Sequence, residues 1–234
     1  MYLTLDFGNT QAKFALFSEQ GELVDNGLFQ DAAQFQHLPI QQAIFATVRK
    51  EIPFLTSLPC PIHLFNTSMK LPLTIQYQTP HTLGPDRLAA TLGAQKLSPE
   101  NTPILTIDAG TCITYDWLTP TREYIGGAIS PGMHMRYIAL HQQTGKLPLV
   151  SHESFQNPFG TSTNESILCG VQQGIIGEIN HQIDLFNEKY PQARIYITGG
   201  DALFLAEHIK SEIFVEPLLI HHGLFHALQY NEIQ

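Results

Sequence analysis

The 234-residue chain carries 12 basic and 21 acidic residues, a formal net charge of −9, with 43% hydrophobic and 14% charged residues. That mix suits a folded protein that buries a substantial core without cross-links, and excludes a disordered one. The acidic balance and the lack of any basic run argue against nucleic acid, whose phosphates need Lys and Arg, and against an anionic membrane surface.

No apolar stretch is long enough to span a bilayer, and Met1 to Thr10 lacks a positive n-region, so the expected compartment is the cytoplasm. Cys60, Cys112 and Cys169 form no C-x-x-C pair and read as reduced, packed thiols. Along the chain, Met1 to Gly8 reads as a strand entering a turn, Ala12–Phe17 as a second strand, and Glu22 to Gly27 as lying near a third, together an antiparallel meander. Ala43 to Val48 reads as a buried strand. Pro53, Pro59 and Pro61 punctuate a loop-rich connection, and Asp86 to Leu97 has helical spacing. Phe29, Phe35, Phe45, Phe54 and Phe65 read as core.

A second unit then starts. Pro103 to Asp108 is an apolar strand, Ala109 to Thr111 a small-residue turn, and Cys112–Leu118 another strand. Gly126 and Gly127 follow, then helices from about 132 to 143 and from about 164 to 188. A strand at Arg194–Thr198 runs into Gly199 and Gly200, and short helix, strand and helix segments finish the chain.

Two segments share one plan: an apolar strand, Asp-x-Gly, a hydroxyl or amide residue, and another strand. They begin at Asp6 and Asp108, 102 residues apart, which is the scale of a domain duplication with expected halves 1–102 and 103–234. A strand-turn-strand with glycine exposes backbone N–H groups that cradle phosphate oxygens. Asn9, Thr10 and Thr111 add neutral donors, and Asp6 and Asp108 add carboxylates of the kind that hold a cation beside phosphate. One Asp-x-Gly turn is common by chance; one per half-chain, each ending an apolar strand, points to a clamp for ATP and its metal. Gly199, Gly200 and Asp201 read either as a helix start or as a wall for adenosine. Asp86, in Gly84-Pro85-Asp86-Arg87, reads either as a general base for an alcohol or as a cap of the helix that follows. Arg87 reads as a two-pronged partner for an anionic substrate. His222 and His226 have the i,i+4 spacing of metal ligands, but no H-E-x-x-H pattern accompanies them, and a packed or surface role is expected.

Taken in order, these residues resemble the type III pantothenate kinases, a branch of the sugar kinase, Hsp70 and actin superfamily. The resemblance covers nearly the whole chain. It runs through Asp6 to Lys13, Gly84 to Arg87, Asp108 to Thr114, Gly126 to Met133, Thr144 to Pro148, Thr163 to Gly170, Thr198 to Ala202 and Pro217 to Leu224. It implies a duplicated ribonuclease H-like, actin-like ATPase α/β fold, with two mixed five-stranded sheets, flanking helices and a cleft between them. It also implies that Asp6, Phe7, Gly8, Asn9, Thr10, Gln11, Ala12, Lys13 and Thr111 bind ATP and that Asp6 holds Mg²⁺ through water. Asp86 is the implied proton acceptor. Tyr77, Gly84, Pro85, Asp86, Arg87 and Thr163 are the implied contacts of pantothenate, and Asp108 the implied ligand of K⁺ or NH₄⁺. The implied assembly is a homodimer with its substrate pocket near the subunit contact, making 4′-phosphopantothenate in the first step of coenzyme A synthesis. The rivals are another small-molecule kinase of the superfamily and a weakly catalytic accessory factor of transcription.

Overall fold

The computed structural model describes residues 1–50, 57–154 and 157–232. Phe54 and Pro53 lie outside the described residues. The chain groups into two compact units, Met1–Ile104 with Asp116–Gly126 and Leu218–Gln234, and Leu105–Tyr115 with Gly127–Pro217.

The first unit is built on a five-stranded mixed sheet. Strands β1 (Tyr2–Phe7), β2 (Ala12–Phe17) and β3 (Leu23–Leu28) form the expected meander, and β4 (Gln42–Thr47) and β5 (Ile62–Leu64) continue from β1 in parallel. The sheet order is β3-β2-β1-β4-β5. Alternation sorts the side chains. Leu3, Leu5, Phe7, Phe14 and Leu16 pack on one face with Phe29, Phe35 and Phe45. Ala15 and Phe17 pack on the other with Phe225. Phe65 is also buried.

Phe225 belongs to helix α5 (Leu219–Glu232), which lies in the first unit although it ends the chain. The cause is its contact with α1 (Pro85–Leu97). A Cβ on Gly223 would run into the backbone of Ala89, and one on Gly93 into the carbonyl of Leu219. Only hydrogen at those positions lets the two helix backbones approach so closely. From Leu88 to Ala94 every residue of α1 is buried, as expected of a helix covered on all sides.

The other sheet contains β6 (Thr74–Ile75), β7 (Ile104–Ala109), β8 (Cys112–Leu118), β9 (Glu123–Pro131), β10 (Arg194–Thr198) and β11 (Phe214–Val215), in the order β11-β10-β7-β8-β9-β6. It has six strands rather than the five expected, because Thr74 and Ile75 pair with Glu123 and Tyr124 along its edge. In the second unit, helices α2 (Met133–Gln142), α3 (Thr163–Lys189) and α4 (Ala202–Ala206) complete the fold. Ser162 caps α3 by accepting from the Glu165 N–H at 3.3 Å, and Ile167, Val171, Ile175, Ile179, Ile183 and Phe186 form its buried stripe.

Candidate active site

In the first unit the Asp6 hairpin and the start of α1 come together. Asp6, the penultimate residue of β1, stands directly opposite Lys13 on β2, and Asn9, Thr10 and Gln11 are exposed at the tip. Burial, then the charge of Asp86, raises the Asp6 carboxyl to about 7, while Lys13 and Arg49 pull the other way. Asp86 is also raised, chiefly by burial. Two carboxyls in one electrostatic neighbourhood, one of them half-neutralised near pH 7, form a donor set that a divalent cation fits.

Asp86 occupies the first turn of α1, after Gly84 at the N-cap and Pro85 at the first helical position. One of its oxygens accepts from the Arg87 N–H at 2.9 Å, so the carboxylate satisfies a helix N–H while remaining at the site. The N-cap is Gly84, so Asp86 is not the cap of this helix but a carboxylate inside its first turn.

Arg87 is buried, and its Nε and Nη2 both donate to Oδ1 of Asp116, at 3.0 and 2.6 Å. Burial opposes its charge, but Asp116 outweighs that and holds the guanidinium protonated. The Tyr124 hydroxyl donates to the same oxygen at 2.5 Å, and the Arg87 guanidinium lies 5.9 Å from the centre of the Tyr77 ring. The two-pronged bond expected for substrate is thus made to Asp116 of the protein. Tyr77 itself lies against Gly126.

The sequence reading missed Asp116, Tyr124 and Arg49. A carboxylate inside an apolar strand demands a partner, and Asp116 was legible on that ground. Arg49 donates through Nε to the Gly8 carbonyl at 2.6 Å. It follows β4, whose parallel pairing with β1 puts both strand ends at one edge.

In the second unit three turns converge on Asp108. Gly199 has φ +96°, and a Cβ there would stand 2.5 Å from both the Asp108 Oδ1 and the Ala109 carbonyl oxygen. The Asp201 N–H donates to the Ala109 carbonyl at 3.0 Å, and the Gly132 N–H to the Thr111 carbonyl at 3.1 Å. Asp201 stands at the N-cap of α4 without capping it through its side chain. A carboxylate crowded by carbonyl oxygens fits a monovalent cation.

Thr163, the first residue of α3, lines an open groove of about 1050 Å³ with Leu140, Leu147, Ile167, Gly170 and Val171. Elsewhere, His221 is buried inside the first unit. Among the described residues no group of three or more His, Cys, Asp or Glu side chains is arranged to hold a metal, and no helix is long and apolar enough to cross a membrane.

Two mixed sheets, each with a glycine turn after a strand whose penultimate residue is Asp, define an α/β fold of the actin-like ATPase and sugar kinase class. Solved structures of that fold include the activator of 2-hydroxyisocaproyl-CoA dehydratase from Clostridium difficile with bound ADPNP. It is 13% identical with a TM-score of 0.56, over 100% of this chain and 96% of that one. A family profile described as type III pantothenate kinase matches residues 2–185. The type III pantothenate kinase of Bacteroides fragilis (strain YCH46) is 40% identical over 99% of this chain and 98% of its own length. That of Christiangramia forsetii is 36% identical over the full length of both. The chain belongs to the type III pantothenate kinase family.

Proposed function

We propose that this chain transfers the γ-phosphoryl group of ATP to the terminal hydroxyl of pantothenate, giving 4′-phosphopantothenate for coenzyme A synthesis, in the cytoplasm. The observation that carries this reading is the pairing of Asp86 with Asp6 in one unit of a chain that belongs to the family.

Asp86 orients the pantothenate hydroxyl and accepts its proton as the P–O bond forms. A loose transition state asks little base strength of it, so placement matters more than pKa. Phe7 to Ala12 give the hairpin whose amides, with the Asn9 and Thr10 side chains, hold phosphate oxygens. Lys13 adds a positive charge. Thr111 donates to phosphate from the second turn. Asp6 would hold Mg²⁺ and Asp108 would hold K⁺ or NH₄⁺, and such cations would spread the negative charge of the triphosphate. Arg87, locked by Asp116, presents a fixed positive edge beside Tyr77, Gly84 and Pro85 for the pantothenate carboxylate. Each expected half, 1–102 and 103–234, carries one copy of the turn.

We read the active form as a homodimer, with Thr163 reaching substrate from the α3 groove. Its apolar lining and the neighbouring exposed Leu149 and Phe159 support a protein contact there. A coupled assay of ADP release across pantothenate, hexoses and amino sugars tests the acceptor. Turnover confined to pantothenate is expected; faster turnover with a sugar would reassign the substrate.

A further inference from the structure

His221 has no part in the chemistry above, yet it is enclosed against the strand that carries Asp6. The Thr4 hydroxyl donates to the Ala15 carbonyl at 3.1 Å and lies 2.8 Å from Nδ1 of His221. A hydroxyl has one proton. Thr4 therefore accepts from His221, the ring carries its proton on Nδ1, and Nε2 presents a lone pair. That nitrogen is buried and meets no partner among the described residues. A buried acceptor left without a donor is costly, so one is expected nearby.

Sheet register puts a donor on the same face. Thr4 pairs with Ala15 and Asp6 with Lys13, and alternate residues share a face. Lys13 thus lies on the α5 side of β2, one position along that face from Ala15. Its charge is felt by Asp6 and by His221 alike. His222 is the other titratable group that acts on the ring, and Phe17, which packs on this face with Phe225, lies against His222. Burial first, then Lys13 and His222, push the His221 pKa down to about 3, so the ring stays neutral at working pH.

We propose that His221 is a positioning residue for Lys13: its Nε2 accepts from one buried water that in turn accepts from the Lys13 ammonium, and this bridge fixes the cation beside Asp6. A carboxylate in this place would cancel the lysine charge. A neutral imidazole holds the ammonium and leaves its charge for phosphate. The inference rests on the reading of the Asp6–Lys13 hairpin as the triphosphate site.

The test has two arms. In the kinetic arm, pantothenate-dependent ADP release is measured for the unaltered protein, His221→Leu and His221→Gln. His221→Leu is expected to raise the KM for ATP about ten-fold, with kcat and the pantothenate KM within about two-fold, and His221→Gln, which keeps a donor and an acceptor, to recover most of the loss. In the spectroscopic arm, the His221 Nε2 ¹⁵N resonance is followed in the unaltered protein and in Lys13→Met. It is expected to move toward the position of a free lone pair when the ammonium is removed. An unchanged KM for ATP in a folded His221→Leu, or an Nε2 resonance indifferent to Lys13→Met, overturns the proposal. Absence of pantothenate-dependent turnover in the unaltered protein overturns the kinase reading instead, and the spectroscopic arm still decides whether Nε2 holds Lys13. That arm also decides if His221→Leu fails to fold.

Discussion

Asp86 does two things with one carboxylate: it bonds the Arg87 N–H and stands beside Asp6. Asparagine keeps the shape and the N–H bond but cannot accept a proton. Asp86→Asn is expected to unfold within a few degrees of the unaltered protein and to lose about 10²- to 10⁴-fold in kcat, read by thermal unfolding and steady-state turnover. Asp6 gives a pH signature. Its folded pKa, about 7, lies above the unfolded value near 3.9. The folded state therefore holds the proton more tightly. This contribution to stability is full below about pH 4 and is lost as pH rises through 7. Asp6→Asn lacks that loss. In metal-free buffer its Tm advantage over the unaltered protein should grow from pH 4 to pH 8, and added Mg²⁺ should shrink it. A gap that does not change with pH would show that Asp6 ionises normally.

At the level of elements, α1 carries Asp86 at one end and meets α5 through Gly93 and Gly223. Gly223→Ala must push the helices apart, and overpacking of this kind costs about 1–3 kcal/mol. The expected result is a Tm lower by several degrees together with reduced kcat, since α1 moves with the base it carries. Thermal unfolding and turnover of the one variant check both. None of this contact was legible along the chain, because it joins residues more than a hundred positions apart. Local pattern was more informative. Ala12–Phe17, Cys112–Leu118 and Arg194–Thr198 alternate or run apolar between turn residues, and each is a strand with those bounds. β9 was not assigned because Gly126 and Gly127 interrupt its apolar pattern, and β6 because two residues carry no period. The site followed the same rule. Asp6, Asp86 and Asp108 stood out near glycine, whereas the role of Asp116 depends on a pairing with Arg87, 29 residues away in sequence.

At the scale of the molecule, a chain of net charge −9 is proposed to take two anionic substrates. It has 12 Lys and Arg residues, and three of them, Lys13, Arg49 and Arg87, stand around the hairpin and the start of α1. Local placement of charge, not net charge, then governs capture. The proposed dimer is testable through Gly170, which lines the α3 groove and has no atom within 4 Å of a Cβ built there. Gly170→Glu should leave the protomer folded, halve the mass seen by sedimentation and raise the KM for pantothenate. A dimer that persists would move the subunit contact elsewhere.

The most direct test of the central claim is mass spectrometry of the product formed by purified protein with ATP, Mg²⁺ and K⁺, with and without pantothenate. The account predicts pantothenate bearing one added phosphoryl group, formed in step with ADP and nearly absent with Asp86→Asn. ADP release that ignores pantothenate, or an unmodified acceptor after ATP is consumed, would contradict it.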